Sequence, residues 1–219
     1  MTKAGVTVKL GKEVNTAVIE EFKPDVLIVA AGGVHQDFNI PGSNRRNVVS
    51  SSALHKQLKF YLRFLSPKVL AWLTKFWMPI GKRVIVIGGN IQGCELAEFL
   101  IKRGRKVTIV DEAEELGEGM TKDDFLRLIP WLDKKGAARF TSVKYEEIND
   151  KGLVITTSQG EKKTLEADTI VVALPLLPNP DIVKTLEGKA PETYAVGSCI
   201  EPGLIVDAIA DGARIGHTI

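Results

Sequence analysis

Cysteine and histidine are scarce in this chain of 219 residues. The two cysteines, Cys94 and Cys199, form no C-x-x-C pair, which disfavours zinc binding and dithiol redox chemistry and predicts a reduced, cytoplasmic type of protein. The three histidines, His35, His55 and His217, are scattered without the spacing of metal ligands or of a base with its partner. We therefore predict no metal site and no catalytic side chain.

Long apolar runs are also missing. No uninterrupted apolar segment reaches the roughly 18 residues of a membrane-spanning helix, and no signal-peptide pattern is present. The net charge of +2 argues neither for nor against nucleic acid at the level of the whole chain, and we expect no nucleic-acid partner. With 44% hydrophobic and 26% charged residues, the chain can bury a substantial core and is not disordered.

Acidic residues are absent between His55 and Cys94, where basic and aromatic residues follow one another at helical spacing. Such a stretch can lie on a membrane surface or bind nucleic acid. The charges are spread around the helix rather than confined to one face, and Pro67 interrupts the stretch. These features favour a helical connector over about residues 54–78 that packs on a neighbouring domain or subunit. A membrane-associated NADH dehydrogenase, anchored by this stretch, stays open as an alternative.

Residues 82–112, KRVIVIGGNIQGCELAEFLIKRGRKVTIVDE, carry the most informative pattern. An apolar strand enters a glycine-rich turn, an amphipathic helix follows, and a second apolar strand ends on Asp111. This order is typical of a dinucleotide-binding unit, in which the backbone of the turn approaches a pyrophosphate and the helix N-terminus offers N–H groups and a partial positive charge. Asp111 lies 18 residues after Gly93 (111 − 93), near the spacing of the acid that bonds a ribose 2′-hydroxyl. Because this acid repels a 2′-phosphate and is followed by Glu112 rather than arginine, we predict NADH over NADPH.

Patterns elsewhere in the chain predict the remaining elements. They are a short strand at residues 6–10, a helix over Thr16–Phe22 capped by Asn15, a buried parallel strand at residues 25–30, a helix capped by Ser52, a helix after Thr121, a β-meander over residues 143–165, a buried strand at residues 168–173 and a final helix over residues 202–219 with Ile205, Ile209 and Ile215 on its buried side.

The motifs in order, DVLIVAAGG, RVIVIGG, GCELAEFL, VTIVDE, EADTIVVALPLLPN and TYAVGSCIEPGLIVDAIADG, resemble the FAD/NAD(P)-dependent pyridine nucleotide–disulfide oxidoreductase superfamily. More narrowly, the chain resembles the C-terminal part of NADH:flavin oxidoreductases of the 2-enoate reductase and 2,4-dienoyl-CoA reductase type. The resemblance implies an α/β fold with a Rossmann-like NAD(H)-binding domain that carries a β-meander and is inserted in an incomplete FAD-binding domain of three-layer ββα architecture. It implies a partial FAD domain over residues 1–80, an NAD(H) domain over 81–175 and a returning FAD segment over 176–219.

The same resemblance implies the cofactors and the partner. NAD(H) and FAD are expected here, with FMN and an iron–sulfur cluster in a missing N-terminal reductase domain, so the isolated fragment is expected to be inactive. A homo-oligomer stays open. The implied NAD(H)-binding residues are Gly88, Gly89, Asn90, Ile91, Gln92, Gly93, Glu95, Asp111, Glu112 and Ala173. The implied FAD-binding residues are Ala30, Ala31, Gly32, Gly197 and Ser198.

Some positions within these motifs have two interpretations. Asn90 replaces the second fingerprint glycine, Ala31 replaces a threonine, and Ser198 replaces an aspartate that meets the FAD ribityl chain. These departures keep open a third hypothesis, a degenerate scaffold without catalysis. Glu95 either receives the nicotinamide carboxamide, as the resemblance implies, or is an acid favoured by the helix dipole.

Overall fold

A computed structural model describes residues 4–62, 66, 69, 74, 78 and 80–219, so much of the second half of the predicted connector over 54–78 lies outside the described residues. The elements run in the order α1 (Thr16–Phe22), β1 (Val26–Val29), β2 (Val34–His35), β3 (Val48–Ser50), α2 (Ser51–Leu62), β4 (Arg83–Ile87), α3 (Ile91–Ile101), β5 (Lys106–Val110), α4 (Lys122–Lys134), β6 (Ala138–Phe140), β7 (Lys144–Ile148), β8 (Gly152–Thr156), β9 (Lys162–Glu166), β10 (Thr169–Val172), β11 (Leu176–Leu177), α5 (Pro180–Leu186), β12 (Glu192–Ala195) and α6 (Ile205–Gly216). Among the described residues, no helix is both long enough and apolar enough to cross a membrane.

The chain divides into two compact units. The split unit consists of Met1–Val34 and Leu176–Ile219, and the central unit consists of His35–Pro175. The resemblance implied a first boundary at residue 80, whereas residues 35–62 group with the central unit. The reason is that β3 pairs with β10 inside the sheet of that unit, which draws the preceding segment with it.

A five-stranded parallel sheet in the order β3-β10-β4-β5-β6 forms the centre of the central unit. Its strands are continuous apolar runs because both faces of the sheet are covered. Along β4, Val84 and Val86 enter one hydrophobic cluster with α3 and α4, while Ile85 and Ile87 enter a second cluster with the meander. The strands β7-β8-β9 pair antiparallel, as the meander prediction required. The predicted α/β, Rossmann-like fold is confirmed.

The split unit has a smaller core. Its strands β1 and β12 pair in parallel, and the buried cluster on them consists of Ile19, Val29 and Leu186. Asn15 caps α1 as predicted, since its side chain accepts a hydrogen bond from the Val18 N–H at 3.1 Å. The predicted strand at residues 6–10 is wrong, because these residues are exposed and form neither helix nor strand.

The burial predicted for the last helix is only partly correct. Ile215 on α6 is 7% exposed, but Ile205 is 81% exposed and Ile209 is 65% exposed. Ile215 is therefore the one residue of α6 that the described part of the chain buries. An amphipathic pattern indicates that a face can be buried, but it does not say that the covering surface belongs to the same chain.

The cap of α2 lies two residues earlier than predicted. The Ser50 hydroxyl accepts from the Ala53 N–H at 3.1 Å, and α2 begins at Ser51. Ser52, the predicted cap, lies within the first helical turn, and its hydroxyl bonds that of Ser50 at 2.9 Å. The helix predicted after Thr121 is confirmed, and Thr121 is its N-cap, with its hydroxyl accepting from the Asp124 N–H.

Candidate functional site

The glycine-rich turn lies at the carboxyl edge of the central sheet, where β4, β5 and β10 end side by side. The Gly88 N–H donates to the Val110 carbonyl at 2.9 Å, and the Ala173 N–H donates to the Ile87 carbonyl at 2.8 Å. The structure thus brings together the turn, Asp111 and Ala173 from three separate strand ends. In open α/β sheets, this edge is where ligands bind.

Two of the glycines are required by packing. Gly88 has φ +108°, and a Cβ there would lie 2.5 Å from the Ala173 carbonyl oxygen. A Cβ on Gly93 would overlap the Gly88 carbonyl oxygen, which would push α3 away from β4. These glycines allow the sharp turn and the close approach of helix to strand, independently of any ligand.

Asp111 lies against the turn, as the spacing predicted. One carboxylate oxygen accepts from the Gly89 N–H, and the other accepts from the Ala113 N–H at 2.7 Å. Asp111 is half-buried, whereas Glu112 beside it is exposed. The carboxylate that would meet a ribose is therefore held in place by the backbone of the turn.

Asn90 is the N-cap of α3. Its backbone is extended, with φ −67° and ψ −178°, and the residue is 6% exposed. The side-chain oxygen accepts from the Gly93 N–H at 3.0 Å, and the side-chain amide donates to the Ala173 carbonyl at 3.2 Å. Both ends of the side chain are thus bonded inside the protein.

A segment that sequence analysis missed lies on the turn. We call residues 116–118 the covering segment. The Gly117 N–H donates to the Gly89 carbonyl at 2.7 Å, and the Ile91 N–H donates to the Glu118 carbonyl at 2.9 Å. Leu116 is buried against Gly89, where a Cβ would overlap its side chain. The signal for this segment was weak, because Gly117 and Gly119, both with positive φ, indicate only tight turns.

Cys94 is fully buried at the start of α3, and its thiol donates to the Gly89 carbonyl at 3.2 Å. Burial, together with the negative charge of Asp111, raises the pKa of this thiol to about 11. A thiol with such a pKa is protonated at neutral pH and is a poor nucleophile. Its contribution is to pack α3 against the turn.

Gln92 is exposed in the first turn of α3, and Glu95 is exposed at the beginning of the second turn. Within the described part of the chain, the Gln92 N–H has no hydrogen-bond acceptor, and the Glu95 side chain has neither a hydrogen bond nor an ion pair. The Gln92 N–H is thus one hydrogen-bond donor at the N-terminus of α3 that remains available to a ligand.

The predicted FAD-binding residues lie together in the split unit. Because β1 and β12 are parallel, their carboxyl ends meet, and the Val196 N–H donates to the Val29 carbonyl at 3.0 Å. Residues 30–32 follow β1, while Gly197 and Ser198 follow β12. A Cβ on Gly33 would lie 3.2 Å from the Ser198 carbonyl oxygen, so the two groups are in close contact.

Asp211 is a further site residue that sequence analysis missed. Its carboxylate accepts from the Gly197 N–H at 3.0 Å and pairs with Arg214 at 2.8 Å. The hydrogen bond from Arg214 lowers the pKa of Asp211, so this carboxylate is charged at neutral pH. A carboxylate paired with Arg214 therefore bonds the backbone of Gly197, the residue before Ser198, although the usual aspartate is absent. The helical spacing of Asp207 and Asp211 was the available signal.

The described residues contain no group of three histidine, cysteine, aspartate or glutamate side chains that could hold a metal ion.

Comparison with known proteins agrees with this geometry. NADH oxidase of Thermoanaerobacter brockii is 27% identical over 220 residues, which cover 100% of this chain and 32% of that protein. Bilirubin reductase of Mediterraneibacter gnavus (strain CC55_001C) is 29% identical over 203 residues, which cover 92% of this chain and 28% of that protein. The solved complex of 2-naphthoyl-CoA reductase with 2-naphthoyl-CoA is 27% identical, with a TM-score of 0.82, and the match covers 100% of this chain and 30% of that one.

The chain thus spans about a third of the length of the curated relatives that it matches. Residues 1–212 match the family described as pyridine nucleotide-disulphide oxidoreductase, which is nearly the whole sequence. With the parallel sheet, the glycine turn and the acid at the end of β5, this match shows that the chain belongs to the pyridine nucleotide-disulphide oxidoreductase family.

Proposed function

We propose that this chain is the nucleotide-binding module of a flavin-dependent NADH oxidoreductase. The central unit binds NAD(H), and the split unit contributes part of an FAD site. The electrons pass on to a separate enoate or enone reductase domain that carries FMN and an iron–sulfur cluster. The contact between Asp111 and the glycine turn carries this proposal, because an acid held beside the turn and a helix N-terminus is the arrangement expected of a ribose-binding acid in a dinucleotide-binding unit.

The relatives support a module of this kind. NADH oxidase, bilirubin reductase and the cinnamate reductase of Clostridium sporogenes each match at least nine-tenths of this chain, but the chain covers only 28–32% of each of them. Since they share this part and are named for different substrates, we infer that the shared part handles the nucleotide cofactors. The substrate is then selected outside it.

The residues of the chain bind and orient rather than react. When bound, NADH supplies a hydride that FAD accepts, and this chemistry belongs to the cofactors. Asp111 accepts from the adenosine ribose, and the Gln92 N–H at the start of α3 donates to the pyrophosphate. Gly88 and Gly93 keep the helix close enough to the sheet for this arrangement. Hydride transfer needs no general base, which agrees with the protonated, buried state of Cys94.

Exposed apolar side chains on the split unit support the proposed partner. Large apolar residues that are at least two-fifths exposed are numerous on this unit: Val6, Val8, Leu10, Val14, Phe22, Ile28, Val34, Leu177, Ile200, Ile205, Val206, Ile209 and Ile219. Apolar surface on this scale usually marks an interaction site. We propose that further polypeptide of the intact oxidoreductase covers it and completes the FAD site.

The nucleotide proposal is tested by titrating the purified chain with NADH and following the fluorescence of the dinucleotide. Wild type should show saturable binding, with weaker binding of NADPH. The variant Asp111→Asn should weaken NADH binding by about tenfold, the equivalent of one charge-assisted hydrogen bond. Glu161→Gln removes an exposed charge from the turn between β8 and β9, outside the acidic loop beside the glycine turn, and serves as the control, with binding unchanged.

Two results would contradict the proposal: no saturable change up to millimolar NADH, or equal weakening by the two variants. The flavin part has its own readout. The chain purified alone should be colourless, and a yellow preparation with a flavin spectrum would show that the FAD site is already complete.

A further inference from the structure

The hydrogen-bond donors of the glycine turn are mostly satisfied within the protein. The N–H groups of Gly88, Gly89, Ile91 and Gly93 bond the Val110 carbonyl, the Asp111 carboxylate, the Glu118 carbonyl and the Asn90 side chain. A phosphate at the N-terminus of a helix normally accepts from N–H groups such as those of Gly89, Ile91 and Gly93. In this chain, protein oxygen atoms already occupy the positions where phosphate oxygens would bond.

The glycines of the turn are not by themselves evidence that it binds a phosphate closely. A Cβ on Gly88 or Gly93 would collide with backbone atoms of Ala173 or Gly88 respectively, so the fold alone requires these two glycines. In a dinucleotide-binding fingerprint the second glycine has a different purpose, which is to let the pyrophosphate approach the backbone. That position is Asn90. The chain keeps the glycines that the fold needs and has replaced the one that the ligand needs.

Asn90 is held in its position. Its φ of −67° and ψ of −178° are open to any residue, so the backbone does not need glycine there. With one end of the amide on Gly93 and the other on Ala173, the side chain cannot move aside without breaking two buried hydrogen bonds. Breaking them leaves buried polar groups without partners, which is costly.

The loop over residues 111–118, which includes the covering segment, adds charge to this arrangement. Asp111, Glu112, Glu114, Glu115 and Glu118 place five acidic residues within eight positions next to the turn. A pyrophosphate would approach a helix N-terminus that already has a capping oxygen and an acidic neighbourhood, and like charges disfavour that approach.

We propose that the nucleotide turn of this chain caps itself: Asn90 takes the place of a phosphate oxygen on α3 and holds the affinity for NAD(H) below that of the corresponding glycine form. This inference rests on the proposed function, since it concerns how tightly the same turn binds its dinucleotide. It makes Asn90 the residue that sets the affinity of the module.

The test compares Asn90→Gly with Asn90→Ser in the full chain. Both variants lose the bond to the Ala173 carbonyl, but serine keeps a capping oxygen for the Gly93 N–H, whereas glycine leaves that donor free and adds room. We expect Asn90→Gly to lower the dissociation constant of NADH at least about tenfold, or about 1.4 kcal/mol. Asn90→Ser should stay within about threefold of wild type. Thermal melts without ligand check the fold, and glycine at an N-cap costs little.

The outcomes separate this inference from the proposed function. Tight binding by wild type with no gain in Asn90→Gly overturns the self-capping inference and leaves the nucleotide function standing. An equal gain in NADH affinity in both variants also overturns the self-capping inference, because the capping oxygen then has no effect on binding. Binding by Asn90→Gly alone supports the inference and contradicts NADH binding by the natural chain. No binding by any of the three proteins overturns both.

Discussion

The side chain of Asn90 decides how much of the α3 N-terminus is left for a ligand. From the sequence, an asparagine in place of a glycine suggests a residue that tolerates a left-handed backbone. In the structure its backbone is extended, and its contribution is a cap on the Gly93 N–H. Asn90 therefore takes from the ligand a hydrogen-bond donor, the Gly93 N–H, as well as space.

Cys94 should make the stability of the protein sensitive to alkali. Its folded pKa of about 11 lies above the ordinary value of 9.0, so the protonated thiol stabilises the folded state fully below pH 9. As the pH rises from 9 towards 11, the unfolded chain loses this proton first, and the free energy of unfolding should fall by up to roughly 1.4 kcal/mol per pH unit. Urea denaturation at a series of pH values measures this fall.

The variant Cys94→Ala should show a shallower fall between pH 9 and 10, whatever its stability at neutral pH. Above pH 10 a second group takes part, because burial also raises the pKa of Tyr145, whose hydroxyl donates to the Val110 carbonyl at 3.1 Å. The same slope in wild type and in Cys94→Ala between pH 9 and 10 would show that the thiol is not buried as described.

At the scale of elements, the strands of the central sheet follow from local pattern, while the ends of helices depend on single side chains. Asn15 caps its helix as its position in the sequence predicted, and Thr121 caps the helix predicted after it. In the run Ser50-Ser51-Ser52, three consecutive hydroxyls offer the same signal, and only the path of β3 decides which of them meets the helix N-terminus.

Removing the Ser50 hydroxyl should therefore weaken α2 more than removing that of Ser52. We expect Ser50→Ala to cost about 1 kcal/mol, since an N-cap oxygen is lost, and Ser52→Ala to cost about half of that or less. Amide hydrogen exchange of Ala53, whose N–H bonds the Ser50 hydroxyl, reports on the cap directly. Faster exchange in Ser52→Ala than in Ser50→Ala would show that Ser52, and not Ser50, caps α2.

At the scale of the whole molecule, the two units differ in how much core they contain. The central unit buries two large hydrophobic clusters on the two faces of its sheet. The split unit buries a cluster of three residues on two strands, and it exposes many apolar side chains. A two-stranded sheet with little core is marginal in water, so the units should differ in local stability.

Hydrogen exchange followed by mass spectrometry should show this difference in the isolated chain. Amides of β4 and β10 should exchange at least roughly a hundredfold more slowly than those of β1 and β12, because local opening costs less where fewer apolar contacts are lost. The two sets of peptides come from the same sample, so each is the control for the other. Equal protection would contradict the view that the split unit lacks part of its core.

The sequence by itself determined the central unit. Continuous β-branched runs, the glycine turn, Asp111 and the alternating meander each report on neighbours within a few residues, and such local patterns survive into the structure. The family, the parallel sheet and the meeting of Asp111 with the turn all followed from these patterns. Their physical basis is periodicity and backbone geometry, which a short stretch of sequence already contains.

Only the tertiary structure decided the rest. The covering segment on Gly89, the carboxylate of Asp211 on the Gly197 N–H and the exposure of Ile205 and Ile209 depend on residues far apart in the chain. An acid or an apolar residue has the same sequence signal whether it faces a neighbour or solvent, because its partner is set by how the strands and helices pack. For the same reason Asn90 could be named from the sequence as a departure, but only its two buried hydrogen bonds show that it caps the turn.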